Sequence, residues 1–546
     1  MKIENPSAHC SLVARFPRSL ILFLFFTAAR IQAADAPKRP VNVLFIITDQ
    51  QRWDTLGSMG NKIIKTPNLD RLAAGGARFT RMYSSCPVCV PARTVILTGH
   101  SCSSNHLLTN QEIDRTDLPT FETFDQALIK QGYRGEYYGK WHSPYKYALD
   151  YANGVRWTNG KKPPGSRAEM NEEQAFLKYL DEHVPLRPLE PGEQLSNMYN
   201  RPYRPDPLDG SYGLPPKQVQ KLLHNREAGK DAQVGQGFSY GCLDVPPEHT
   251  MTAWTVKDGL EALDRLKDGP FTLTVSIGPP HPPMVLPKPY YGMYPTTDMP
   301  VPASIEDTRA ESPYFRSLMP PGYRDKDKVR QMISDYYGLI TLDDDWIGKL
   351  LAKLDELHLS DHTLVIFTAD HGEMLGDHGM FSKFVFYEGS AHIPLLVRLP
   401  GVIPAGKVVD APVAQIDLFS TILDYCGLAG HESEGATLRP LIEGKDDSAH
   451  RVTFSEWNGT AVPGYMVYDG RWKLMFGRGV TARARDGLFD LQSDPNELKN
   501  LLATDADRAA NKEVAARLKQ SLVDWLEKVK SPHLEEVRAR PLGGQG

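Results

Sequence analysis

The chain has 546 residues, 41% apolar and 24% charged, and its 62 Lys+Arg against 67 Asp+Glu leave a net charge of −5. This is ordinary globular usage, which excludes wholesale disorder, and the near balance of charge does not point to nucleic acid as a partner. A mean hydropathy of −0.39 excludes a multi-span membrane protein, and six cysteines are too few for a disulfide-built scaffold.

Residues 1–33 differ from the rest. Lys2, Arg15 and Arg18 precede the apolar run Leu20 to Ala29, which ends near Ile31-Gln32-Ala33. The run is too short for the ~20 residues of a spanning helix, so it reads as a secretory signal with no stable membrane span. Its removal makes the chain more acidic, because it carries four basic residues and one acid. It also takes Cys10 away and leaves Cys86, Cys89, Cys102, Cys242 and Cys426. An odd number in an exported chain, periplasmic or secreted, asks which one is unpaired.

Val41 to Thr48 is a continuous apolar run, as expected of a parallel strand covered on both faces. Thr66-Pro67 opens a helix that Gly75 closes. Phe121 to Lys130 reads as a helix and Tyr133 to Tyr138 as a strand. Trp254 to Leu266 is helical, Phe271 to Ile277 a strand, and Val329 to Leu357 a long helix. Thr363 to Thr368 and Ile393 to Leu399 are further buried strands. The alternation predicts an α/β fold on a large, mostly parallel sheet flanked by helices. Residues 150–250, rich in Pro, Gly and charge, read as a surface insertion whose Arg187, Arg201 and Arg204 either belong to a solvated loop, the commoner case, or line a cleft. Beyond Gly444 the segments shorten into antiparallel strands, and a helix from Thr504 to Lys530 follows. The division is thus 1–33, a catalytic unit over 34–444, and a smaller α+β unit over 445–546.

Ligands in such sheets gather beyond the carboxyl ends of the strands. One strand end delivers Asp49 and Gln50, another Asp370 and His371. Two carboxylates and an amide oxygen suit Ca2+ or Mg2+, and the imidazole also admits a transition metal such as Mn2+. The second cluster is Cys86-Pro87-Val88-Cys89-Val90-Pro91-Ala92-Arg93. It reads either as a CxxC redox pair or as a helix start with Cys89 at its N-terminus, where backbone amides and Arg93 favour an anion.

Cys89-Val90-Pro91-Ala92-Arg93, continuing to Leu97-Thr98-Gly99, resembles the signature of the type I, formylglycine-dependent sulfatases of the alkaline phosphatase-like superfamily. Further segments match in order: Asn42 to Asp49, Gly139-Lys140-Trp141-His142, Pro280-His281, Asp370 to Gly379, Lys383, Tyr387-Glu388, and Leu488 to Leu501. The resemblance implies that a maturation enzyme oxidises Cys89 to formylglycine. Its hydrated aldehyde would attack sulfur and then expel sulfate as the diol collapses. It implies a divalent metal, Ca2+ first, on Asp49, Gln50, Asp370, His371 and residue 89. Arg93, Lys140 and Lys383 would neutralise the sulfate, His142 would face residue 89, and His281 would contact the sulfate or protonate the leaving oxygen. Glu373 and His378 read as supporting residues and Trp141 as core.

Two departures matter. Gln50 and His371 stand where many members have Asp and Asn, a set similar to that of phosphonate monoester and phosphodiester hydrolases. The segment His100 to Ser104 departs from the usual basic-aromatic stretch, and an altered neighbouring subsite is expected. The leading expectation is an exported sulfatase of a sulfated poly- or oligosaccharide. The alternatives are the phosphonate or phosphodiester hydrolase, a noncatalytic sulfated-glycan binder, and the CxxC redox protein.

Overall fold

The computed structural model describes residues 40–115, 117–145, 172–196, 199–205, 240–307, 312–314, 324–445, 451–457, 463–477 and 486–542. The expected signal and much of the expected insertion lie outside them. The strands, in chain order, are β1 (Asn42–Asp49), β2 (Ala77–Tyr83), β3 (Arg134–Gly139), β4 (Gln194–Leu195), β5 (Pro202–Pro205), β6 (Tyr240–Leu243), β7 (Phe271–Pro280) and β8 (Met284–Leu286). They continue as β9 (Thr363–Ala369), β10 (His392–Arg398), β11 (Lys407–Val409), β12 (Val413–Ala414), β13 (Thr453–Glu456), β14 (Pro463–Tyr468), β15 (Trp472–Gly477) and β16 (Gly487–Asp490).

Eight of them form one sheet in the order β11-β2-β10-β9-β1-β7-β3, with β12 also on β2. All its pairs are parallel except the two made by β10, which runs against β9 and β2. This is the large, mostly parallel sheet that the sequence predicts. Every residue of β1 is buried. Its alternate side chains feed two cores: Val43, Phe45 and Ile47 face one and Leu44 and Ile46 the other. A strand covered on both faces needs the unbroken apolar run seen in the sequence.

The helix Pro67–Ala74 starts at Thr66 as its sequence predicts, but the Thr66 side chain makes no cap bond. Asp344, far away on the helix Lys326–Glu356, instead accepts Leu69 N at 2.8 Å and Asn68 N at 3.1 Å. A distant carboxylate thus fills a role that local sequence assigned to the neighbouring threonine.

Two further sheets have four strands each. One is β4-β5-β6-β8, the other β13-β14-β15-β16. The first gathers parts of the expected insertion, and there Arg201 is buried, bonded to Val184 O and Asp181. Arg187 is held by Glu193 and Asp244. These two arginines brace the insertion rather than lining a cleft, because each is already neutralised. In the last sheet Tyr465, Val467, Leu474 and Phe476 pack under the helix Lys512–Lys528, while Met466, Tyr468 and Met475 face the catalytic core. The long C-terminal helix expected from Thr504 is broken at Asn511 into Asp505–Ala510 and Lys512–Lys528; Thr504 does cap the first. No described helix is long and apolar enough to cross a membrane.

Candidate active site

Four neighbouring parallel strands, β9-β1-β7-β3, end at the same edge of the sheet. β9 delivers Asp370 and His371, β1 Asp49 and Gln50, β7 His281, and β3 Lys140 and His142. The four short motifs therefore converge because their strands run side by side. At Gly139, with φ +86°, a Cβ would run into the Ser276 carbonyl oxygen, so only glycine lets β3 end here and release Lys140. Gln50 and His142 also hold left-handed backbone, φ 68° and 48°, as do Ser382 and Phe384 on either side of Lys383. Such strain gathers where structure serves a site.

Cys89 is the first residue of the helix Cys89–Thr98 and is fully buried. Gly99 ends that helix at φ 68°. The sulfur lies 3.1 Å from His371 Nε2, 3.4 Å from Lys383 Nζ and 3.9 Å from Asp49 Oδ1. His142 lies beside it, and burial and then Lys140 hold its ring below the ordinary histidine range. Burial and Asp49 oppose a negative charge there, yet Lys140, Lys383 and His371 outweigh them and hold the thiol well below its ordinary range. Position 89 is thus poised to carry negative charge.

The donors around it form one group. One ligand atom each of Asp49, Cys89, Asp370 and His371 lie within 4.8 Å of one another, all buried. The Nδ1 of His371 lies 3.0 Å from Gly372 O, which can only accept, so Nδ1 carries a proton and Nε2 is the nitrogen turned to the site. Gln50 is placed by Tyr336, whose hydroxyl donates to Gln50 O at 2.5 Å, and its side-chain nitrogen donates to Glu373. Its Oε1 accepts from Lys383 at 2.6 Å. The amide oxygen, two carboxylates and an imidazole fit a hard divalent cation.

Arg93 is more occupied than its sequence position suggests. Its Nε donates to Asp370 Oδ2 at 2.8 Å, and its Nη1 donates to Lys140 O and Ser276 Oγ. Only Nη2 lacks an acceptor; it lies 3.7 Å from Asp49 Oδ2. Lys140 bonds directly to Asp49. Burial first, then Lys383, pull His281 down to about 3, so its ring is neutral. Its Nδ1 lies 2.8 Å from Pro282 O. A carbonyl only accepts, so Nδ1 carries the ring's one proton and Nε2 is left as an acceptor rather than a standing proton donor.

Glu373 and His378 support the site, His378 by its bond to Asp307 and its stacking on Tyr387. Trp141 is core. The segment His100 to Ser104 does not open a subsite. His100 stacks on Phe121, Ser103 bonds Glu456, and Ser101 and Ser104 bond Glu434, so the segment is packed inward. Asn110 and Ser276 are additions. Asn110 Oδ1 accepts Val90 N at 2.9 Å beside Cys89, and Ser276 fixes Arg93. Neither carries a local motif.

The sulfatase family model matches residues 41–428. The chain belongs to the sulfatase family. The C-terminal model of N-sulphoglucosamine sulphohydrolase matches residues 376–528. The sulfatase is 27% identical to an arylsulfatase of Clostridium perfringens, over 84% of this chain and 90% of the relative. It is 25% identical to an N-acetylglucosamine-6-O-sulfatase of Bacteroides thetaiotaomicron, over 89% and 86%. Among solved structures, a phosphonate monoester hydrolase of Agrobacterium radiobacter superposes with a TM-score of 0.69 at 26% identity, covering 90% of this sulfatase and 96% of that chain. The sulfatase is accordingly a sulfuric ester hydrolase.

Proposed function

We propose that the chain is an exported sulfatase of a sulfated carbohydrate, acting through formylglycine made from Cys89 by a maturation enzyme, beside a divalent cation, Ca2+ first. The observation that supports this best is the buried group Asp49, Cys89, Asp370 and His371, with Lys140 and Lys383 turned onto it. Asp49, Gln50, Asp370 and His371 would hold the cation. Once in place, cation and hydrated aldehyde supply an activated geminal diol whose collapse frees sulfate.

The chain's own residues do the rest. Lys140 and Lys383 bring fixed positive charge to where the sulfate's negative charge must sit. Arg93 orients Asp370 and keeps Nη2 open above Asp49. His142 reaches residue 89, and its Nδ1 has no partner among the described residues, so it can hold a proton there. His281 offers Nε2 to the substrate. The carbohydrate rests on the relative named for N-acetylglucosamine-6-O-sulfate, and export rests on residues 1–33.

A second reading has its own support. Gln50 and His371, and the likeness to a phosphonate monoester hydrolase, fit a phosphonate monoester or phosphodiester hydrolase built on the same nucleophile. Turnover of aryl sulfates and sulfated sugars, set against phenylphosphonate esters and phosphodiesters, separates the two. A kcat/KM higher for sulfate esters is expected; a tenfold preference for phosphonate or phosphodiester would replace the first reading with the second. Chelation should abolish turnover, and Ca2+ should restore it.

A further inference from the structure

Five cysteines follow the signal, and the structure sorts them. Cys89 faces the site. Cys242 lies in β6, and Cys426 ends the helix Asp417–Tyr425 with its sulfur 3.6 Å from Val41 O. The remaining two meet. Cys86, in the turn after β2, and Cys102, opening the short helix Cys102–Asn105, are 0% and 1% exposed. They share one small apolar cluster with Val88 and Val95. Both are free thiols and neighbours within that cluster, and Cys102 Sγ lies 4.0 Å from Ser85 O. Cys86 thus packs in a cluster that holds Cys102, beyond the far end of the nucleophile's helix, and not Cys89, its CxxC partner in sequence.

We propose that Cys86 and Cys102 are joined by a disulfide in the exported protein, and that this bridge staples the helix bearing residue 89 and withholds Cys86 from Cys89. The inference rests on the export reading above, since thiols stay reduced in the cytosol. Two S–H bonds break and one S–S bond forms. The two protons and the two electrons pass to the disulfide of a thiol–disulfide oxidoreductase of the export compartment, which leaves as a dithiol. Burial pushes both thiols up, away from the reactive thiolate, so the exchange belongs to folding, before the cluster closes. Residues 86 and 102 bracket the helix Cys89–Thr98, so the bridge fixes both of its approaches. A free Cys86 would stand three residues before Cys89, the spacing at which two thiols can close on each other. Bridging removes that competitor from any Cys89 that reaches the export compartment unconverted.

The test uses the full chain in a bacterial host that makes formylglycine. Cell fractions are blocked with an alkylating agent and digested with trypsin without reduction. The exported fraction should contain the peptides Met82 to Arg93 and Thr94 to Arg115 joined, and reduction should separate them. Exported chain with Cys86 and Cys102 both alkylated, or with Cys86 joined to Cys89, overturns the inference and leaves the function untouched. Chain found only in the cytosol overturns the export reading and this inference with it. An unmodified Cys89 within a joined pair would count against formylglycine alone and leave the bridge standing. In Cys102→Ala, Cys86 is released, and any Cys89 left unconverted in the exported fraction should be found joined to it. In Cys86→Ala/Cys102→Ala the same Cys89 should be alkylated as a free thiol; a free Cys89 thiol in both variants would refute the withholding role.

Discussion

Two buried charge clusters invite comparison. In one, Lys473 on β15, fully buried, donates to Glu388, Glu497 and Phe386 O at 2.5, 2.9 and 2.8 Å. Glu388 also accepts from Tyr83 and pairs with His392. Charge is matched by charge, and the cluster ties the C-terminal sheet to the segment after Lys383. In the other, around Cys89, Lys140, Lys383 and Arg93 crowd Asp49 and Asp370, while Arg93 Nη2 and His142 Nδ1 lack partners among the described residues. Buried charge by itself marks neither structure nor function. A cation paired on every side holds a fold together, whereas cations crowded round an anion-favouring position wait for something to bind.

Removing the reactive group should break this contrast most sharply. Cys89→Ala should abolish turnover with Tm nearly unchanged, since a buried thiol in the open cluster does little for the fold; retained activity would refute its role. Lys473→Met should do the reverse. It leaves Glu388 and Glu497 buried without their cation and should cost about 3–5 kcal/mol in denaturant unfolding. If the variant is as stable as the parent, the cluster is not the tie described here. Lys383→Gln keeps size and polarity but removes the charge near residue 89, and should lower kcat about 10²–10³-fold with little change in unfolding midpoint.

The smallest effect concerns Glu456 on β13. Burial pushes its carboxyl up to about 7, although Ser103 donates to it. An acid whose pKa is raised by folding binds more protons when folded, so its contribution is greatest at low pH and declines as pH rises from about 4.5 through 7. Glu456→Gln should flatten the pH dependence of stability over that window, a difference of up to ~3 kcal/mol. An unchanged slope would place the titration elsewhere.

Much of this was readable from sequence because the chemistry sits in short local motifs at strand ends. Asp49-Gln50, His281 and Asp370-His371 each follow an apolar run that announces its strand, Lys140 to His142 follow the aromatic pair Tyr137-Tyr138, and Cys89 stands just before the helix signal of Pro91. What brings them together, the order β9-β1-β7-β3, is set by pairings between distant segments and leaves no local trace. The same holds for the reversal of β10, for Asp344 capping the helix Pro67–Ala74, and for Asn110 and Ser276. Arg201 misled because an arginine between Pro202 and Asn200 looks solvated until Asp181 and Val184 close on it.

The central claim is that position 89 is a matured nucleophile within an open, positively charged cluster. Mass analysis of the tryptic peptide Met82 to Arg93, reduced and taken from protein with measured sulfate-ester turnover, tests it most directly. The account predicts an aldehyde at residue 89, trapped by a hydrazide, in proportion to activity. Full activity from protein whose Cys89 is still a thiol would contradict it.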